Sequence, residues 1–167
     1  MTRDPESSER ADLVYAASYA GFVGSAVVAL AFLLKDVAMG TPLVTPSILG
    51  AALLDGRVVT RGAVVHLELV ALASLVHVAL FTCVGAAFAF LFQRVEPLRS
   101  QPVMLATGLF AALGIGIVSM DALAAPGVIQ AIGPASVTVA NATAAISMTA
   151  FYFSAFSTTV ALARPGG

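Results

Sequence analysis

The sequence predicts an all-α membrane protein in which four transmembrane helices form an up-down bundle, with a short interfacial or re-entrant helix between helices 1 and 2. Hydrophobic residues make up 59% of the 167 residues and charged residues 10%, whereas soluble domains contain about 25% charged residues. The apolar residues form four runs, each long enough for a membrane-spanning helix, which needs about 20 residues. A chain of this length is expected to form one domain.

The first span is placed at about 13–34, after a polar N-terminal arm at 1–12. The arm is acidic and lacks the basic start and small-residue cleavage motif of a secretory signal, so we expect it to be retained. Pro5 suits the first turn of a helix, and Glu6 and Glu9 suit its positive end. We therefore expect a surface helix that runs into the first span.

The segment between the first two spans is too long for a tight turn and too polar at its ends to cross the bilayer. Thr45 is a suitable N-cap, Pro46 suits the first helical position, and Gly56 follows the apolar run. These residues predict a short helix at about 46–55. It is expected to lie in the interface or to re-enter the membrane over one end of the bundle.

The other spans are placed at about 63–92, 103–125 and 135–163, and residues 164–167 form a C-terminal tail. The second span is longer than a bilayer requires, so it is expected to tilt or to project beyond the hydrocarbon. Pro102 begins the third span, because proline is favoured at the first position of a helix.

The distribution of basic residues predicts the orientation. Four crossings place both termini on one side, together with Arg3, Arg10, Arg94, Arg99 and Arg164. The other side carries Lys35, Arg57 and Arg61. Because basic residues favour the cytoplasmic side, both termini are predicted to be cytoplasmic and the long loop external.

Several polar residues are predicted to share one level near the outer side, next to Lys35. This outer polar layer consists of Asp36, Glu68, Asp121 and Asn141. A charged group at the centre of a bilayer costs about 2.5–3.5 kcal/mol on insertion scales, so such groups pair, face the interior or contact water. The layer is either a ligand, proton or ion site or the ordinary polar edge of the bundle. Its closeness to the helix ends favours the edge.

His77 lies near the middle of the second span, beyond reach of the interface. His66 precedes it by eleven residues, which is close to three helical turns and about 16 Å along the axis, so the two are expected to share a face. Imidazole is a common axial ligand of haem iron. His77, His66 and Met148 therefore form a candidate set for haem or a chlorophyll-type pigment, with Met148 or the His77 of a second copy as second ligand.

Two other roles are open for His77. A neutral imidazole can donate one hydrogen bond to a neighbouring helix, and an intramembrane histidine can also handle protons or substrate. The hydrogen-bonding role is favoured, so the leading expectation is that no cofactor is bound.

Small residues at four-residue spacing predict close helix packing. They are Gly108, Ala112 and Gly116 on the third span, and Gly21 belongs to a similar face on the first span. Such faces allow helix backbones to approach closely, either within the bundle or between subunits.

Three segments form one pattern: GTPLVTPSILGAAL, LVHVALFTCVGAAFAFL and VANATAAISMTAFYF. The first has the form G-x-P-L-x-T-P-x-x-L-G. The pattern resembles uncharacterised small bacterial membrane proteins with four predicted spans, and it covers most of the chain from Gly40 onward. The resemblance implies a bacterial cytoplasmic membrane and four crossings, and it assigns no activity to any residue.

The function predicted from these observations is non-enzymatic. A net charge of −1 without a basic run offers no surface for nucleic acid, and Cys83 has no partner for a disulfide. No nucleophile with its base and no converging metal-ligand set is evident. We therefore predict a structural or accessory subunit of a larger bacterial membrane assembly, with a membrane-protein partner or as a homo-oligomer. The alternatives are a pigment-binding subunit using His77 and a small transporter or channel using the outer polar layer.

Overall fold

The computed structural model describes residues 5–56, 58 and 65–162, with side chains at residues 15, 18–56, 58 and 65–155. Every regular element in this part of the chain is a helix. The helices are α1 (Pro5–Ala38), α2 (Val44–Asp55), α3 (Leu67–Arg94), α4 (Glu96–Ser100), α5 (Pro102–Leu123), α6 (Val128–Ile132) and α7 (Pro134–Leu162). The predicted all-helical fold is confirmed for the described residues.

Among the residues that the structure describes, three helices are long and apolar enough to cross a membrane. They are α1 over Ser18–Ala38, α3 over Leu67–Arg94 and α5 over Pro102–Leu123. By the length and hydropathy of these helices, the chain is a multi-pass helical membrane protein. The fourth long helix, α7, has 29 residues but contains more serine and threonine.

Some helix ends differ from the predicted spans. α2 begins at Val44 rather than at residue 46, so Thr45 lies inside its first turn instead of capping it. α3 begins at Leu67, because His66 has an extended backbone with φ −101° and ψ 114°. α5 ends at Leu123 rather than at residue 125. At the start of α2, for example, Thr45 is hydrogen-bonded to Asp36 of α1, a contact that the local sequence does not reveal.

Two short helices between the spans were not predicted. α4 joins α3 to α5, and α6 joins α5 to α7. α6 is bounded by Gly127 with φ +92° and Gly133 with φ +101°. Glycine adopts such backbone angles without the steric cost that a side chain would bring.

Some predicted features lie outside the described residues. They are residues 1–4 of the N-terminal arm, residues 63–64 of the second span, residue 163 of the fourth span and the tail at 164–167. Arg3, Arg57, Arg61 and Arg164, which enter the predicted orientation, also lie outside the described residues. The rest of the arm belongs to α1, which runs without a break from Pro5 to Ala38.

The four long helices form a bundle that is open on one side. α1 packs along both α3 and α7, and α5 packs along α7. α3 and α5, in contrast, touch over only a short stretch. One such contact lies near α4, where a Cβ added at Gly108 would be 3.1 Å from the Phe88 ring. The two helices therefore diverge from the α4 end toward the opposite end of the bundle.

The opposite end is closed by α2 and α6, which we call the α2–α6 cap. Its apolar side chains form a second core separate from that of the bundle, comprising Val44, Ile48, Ala52, Ala125, Val128, Ile132 and Val137. α2 also lies directly against the start of α3, because Gly50 faces the backbone of Leu69. The cap is thus a packed part of the fold rather than a loose loop.

Tyr152 joins α7 to α3 inside the bundle. Its side chain is fully buried, its hydroxyl donates to the Gly85 carbonyl at 2.5 Å, and its ring stacks on Phe92 with centroids 5.8 Å apart. We expect Tyr152→Phe to lower the free energy of unfolding by about 1 kcal/mol, because one hydrogen bond is lost while the ring remains. Denaturant titration in detergent measures this, with the exposed Tyr15→Phe as the control. Equal stability of the two variants would show that the buried hydroxyl contributes nothing.

Candidate functional site

A cavity of about 500 Å³ lies between the long helices and opens on one side of the bundle, where exposed side chains such as Leu30 and Leu80 belong to its lining. Residues of α1, α3, α5 and α7 form its walls, and residues of α2 lie at its capped end. Most of the lining side chains are apolar, and the polar members are Ser25, Thr45, Ser74, His77 and Asn141. We refer to it as the central cavity.

The divergence of α3 and α5 produces this cavity. Ala112 and Gly116 line it from α5, and a Cβ added at Gly116 would meet no described atom within 4 Å. Within the described residues no neighbouring helix approaches Gly116, so the close contact predicted there would have to be made with a second subunit. By contrast, a Cβ at Gly21 would lie 2.6 Å from the Phe81 carbonyl oxygen, so the first span does pack tightly on α3 there.

His77 lines the cavity and is held by α1. Its Nε2 lies 3.2 Å from the Ser25 carbonyl oxygen, and its ring packs on Phe81 with centroids 4.6 Å apart. A carbonyl oxygen can only accept a hydrogen bond, so this geometry assigns the proton to Nε2. In the neutral ring, Nδ1 then carries a lone pair and can accept a hydrogen bond.

Two further polar side chains reach the cavity from other helices. The Ser25 side chain is almost fully buried, and Asn141 lines the wall formed by α7. Among the side chains described here, no hydrogen bond involves the Ser25 hydroxyl or the Asn141 amide. Both groups are therefore available to a molecule in the cavity.

The structure does not bring together the residues considered for a tetrapyrrole. His66 is exposed at the start of α3, with its Nδ1 3.3 Å from Glu68 Oε1. This contact forms because His66 precedes the helix. Met148 is fully buried, and a Cβ added at Gly24 would lie 2.5 Å from its sulfur. Met148 thus fills a hollow against α1 and is not among the residues lining the cavity.

The residues of the predicted outer polar layer bind separate parts of the chain. Asp36 accepts hydrogen bonds from the Thr45 backbone N–H and hydroxyl, both at 2.7 Å. Asp121 accepts one from the Ile129 N–H at 2.8 Å, at the start of α6. Lys35 donates to the Ile132 carbonyl at the end of α6. These three side chains fasten the α2–α6 cap to the bundle.

The remaining two members of the layer have different surroundings. Glu68 is exposed beside His66, and Asn141 faces the central cavity. Within the described ranges, no group of three or more histidine, cysteine, aspartate or glutamate side chains is placed to hold a metal ion. The layer therefore has no common centre at which a ligand or ion would meet all its members.

Comparison with known proteins gives no further guide to function. No protein-family model matches the sequence, and no curated protein or solved structure was found to match it.

Proposed function

We propose that this chain is a non-enzymatic, four-span protein of the bacterial cytoplasmic membrane that holds a hydrophobic molecule in its central cavity, as an accessory component of a larger membrane assembly. The observation that carries the proposal is the cavity of about 500 Å³. Small-molecule sites typically have volumes of about 300–1,000 Å³ and mostly apolar walls with a few placed polar groups. The central cavity has this size and this composition.

The length and packing of α7 support a fourth crossing. Its 29 residues would extend about 43 Å as a helix, longer than the hydrocarbon core of about 30 Å. It lies along α1 and α5, two helices apolar enough to span. The hydroxyls of Thr138, Thr143 and Thr149 donate to carbonyls four residues earlier, which lowers the cost of placing them in lipid.

The proposed orientation follows from the basic residues at the two ends. Arg94 and Arg99 lie at the α4 end, and Lys35 lies at the end with the α2–α6 cap. The positive-inside rule then supports a cytoplasmic α4 end and cytoplasmic termini, as predicted from the sequence. In this orientation the cap lies on the external side.

The lining of the cavity supports binding rather than catalysis. His77 is its single titratable side chain among the residues described, and its Nε2 is bonded to the backbone carbonyl of Ser25 rather than to a nucleophile. An active site normally combines a nucleophile, a base and a group that orients the base. Axial ligation of a metal by Nε2 would require loss of the same hydrogen bond, and neither Met148 nor His66 lines the cavity to supply a second ligand. These two observations support a bound lipid rather than a haem or pigment.

The test compares two glycine substitutions on α5. Gly116 lines the cavity and Gly114 does not, and a Cβ at either position would meet no described atom within 4 Å. We expect Gly116→Leu to fill part of the cavity and to reduce the lipid that co-purifies, while Gly114→Leu leaves it unchanged. Native mass spectrometry from mild detergent, followed by lipid extraction, measures both. Equal lipid content in both variants and the wild type would refute binding in the cavity.

The same spectra test the accessory role. A subunit of a membrane assembly should be released together with a second membrane protein or with a second copy of this chain. A lone monomer in mild detergent and in native nanodiscs would contradict that part of the proposal, while lipid retention would still test the cavity.

A further inference from the structure

We infer that the central cavity binds an uncharged lipid whose polar end carries a hydroxyl group, such as a long-chain isoprenoid alcohol, and that Ser25 and His77 bind this hydroxyl. The inference rests on the proposed function and specifies its ligand. It is drawn from the charge of the cavity, its depth and the hydrogen-bonding capacity of its polar groups.

The charge of the cavity argues for an uncharged ligand. No aspartate, glutamate, lysine or arginine is among the described residues that line it. The nearby Lys35 and Asp36 are bonded to Ile132 and Thr45 in the cap. A phosphate or carboxylate head in the cavity would lose its hydration without gaining an opposite charge, which is strongly unfavourable.

The depth of Ser25 and His77 in the membrane also argues against a phospholipid headgroup at this site. His77 lies ten residues beyond Leu67, the first residue of α3, which corresponds to about 15 Å along the helix and about half of the hydrocarbon thickness. Charged headgroups remain at the interface, whereas an uncharged lipid can place its small polar end at this depth. Ser25 and His77 are therefore positioned for a lipid that enters the middle of the bilayer.

The protonation of His77 distinguishes a hydroxyl from a ketone or quinone. Because Nε2 donates to the Ser25 carbonyl, the remaining nitrogen Nδ1 can only accept. A ligand hydroxyl can donate to Nδ1 and accept from the Ser25 hydroxyl, whereas a carbonyl oxygen has no proton to give. A hydroxyl thus satisfies both groups, and a carbonyl satisfies only one.

Asn141 provides a second polar contact nearer to the cap. Gly24 of α1 faces Met148 of α7, and Lys35 of α1 binds Ile132, two residues before α7 begins, so α1 and α7 are antiparallel. Asn141 lies seven residues before Met148, or about two helical turns closer to the cap. Asn141 therefore lines the part of the cavity between His77 and α2 and gives the hydroxyl of the ligand a second polar neighbour on the cap side.

The test compares geranylgeraniol with geranylgeranyl methyl ether, in which a methyl group replaces the hydroxyl proton, so that the oxygen can accept but not donate a hydrogen bond. Each probe is titrated against the purified, delipidated protein in nanodiscs, and bound probe is counted by native mass spectrometry. We expect the alcohol to bind the wild type about tenfold more tightly than the ether, a ratio that one buried hydrogen bond provides. This comparison needs no substitution, so it does not depend on the folding of a variant.

Two variants locate the preference. His77→Phe keeps a ring against Phe81 but removes the acceptor, and it should bind the two probes equally. Ser74→Ala is the control, because Ser74 lines the cavity but its hydroxyl is already bonded to the Val70 carbonyl, and it should keep the preference. Equal binding of alcohol and ether to the wild type would overturn the inference while leaving lipid binding intact. If neither probe bound and no lipid co-purified with the protein, the proposed function itself would be overturned.

Discussion

Replacing Gly50 with alanine is expected to separate α2 from α3 and to lower the free energy of unfolding by about 3 kcal/mol, the upper end of the usual cost of overpacking. A Cβ at Gly50 would lie 2.1 Å from the Leu69 carbonyl oxygen and 2.8 Å from its Cα. Both of these Leu69 atoms belong to the backbone of α3, so no side-chain rotation can relieve the clash. Thermal unfolding in detergent and proteolysis within 44–55 would report the loss of the cap.

Gly116→Ala is the matched control for this substitution. Both changes add one methyl group to a glycine of an apolar helix, but at Gly116 the added atom would meet no described atom within 4 Å. Alanine is also the better helix former by about 1 kcal/mol. Gly116→Ala should therefore be at least as stable as the wild type. Equal stability of Gly50→Ala and Gly116→Ala would mean that α2 does not approach α3 as closely as the structure shows.

The helices themselves could be predicted from the sequence because their signal is local. Long apolar runs ended by proline, glycine or charged residues are sufficient to locate α1, α3 and α5. The short α6 carries no such signal, since its five residues are held by Asp121 and Lys35 from other helices. Its position depends on tertiary contacts that a local pattern does not contain.

The cavity could not be predicted because equal patterns have different surroundings. Gly108 and Gly116 belong to the same stripe of small residues, yet Gly108 faces the Phe88 ring and Gly116 faces the central cavity. The difference arises from the angle between α3 and α5, and small-residue spacing does not determine that angle. Spacing predicts where helices are able to approach, but not where they do.

The polar residues near the cap show a similar limit. Alternating spans do place Lys35, Asp36 and Asp121 at one end of the bundle, as the order of the helices requires. Their partners, however, are groups of α2 and α6 rather than one another. Sequence position determines the depth of a side chain in a bundle, whereas its partner depends on how the connecting segments fold.

Removing the Asp36 carboxylate should be the most harmful change to the polar contacts of the cap. The side chain is 1% exposed, and its two oxygens accept from the Thr45 N–H and hydroxyl. Hydrogen bonds to charged groups contribute about 1.5–3 kcal/mol each, and a buried donor left unpaired adds a further cost. We expect Asp36→Ala to lower the free energy of unfolding by about 3 kcal/mol and to expose α2 to protease, because the start of α2 loses its anchor on α1.

Two comparisons separate this anchor from a general effect of charge. Thr45→Ser retains both donors and should remain close to the wild type in stability. Glu68→Ala also removes a carboxylate, but that side chain is 75% exposed beside His66, where an ion pair contributes about 0–1 kcal/mol. Denaturant titration should therefore give Asp36→Ala a much lower free energy of unfolding than the other two variants. If Asp36→Ala and Glu68→Ala unfolded at the same denaturant concentration, the buried carboxylate would make no measurable contribution to holding α2. The cap would then be held by its apolar core alone.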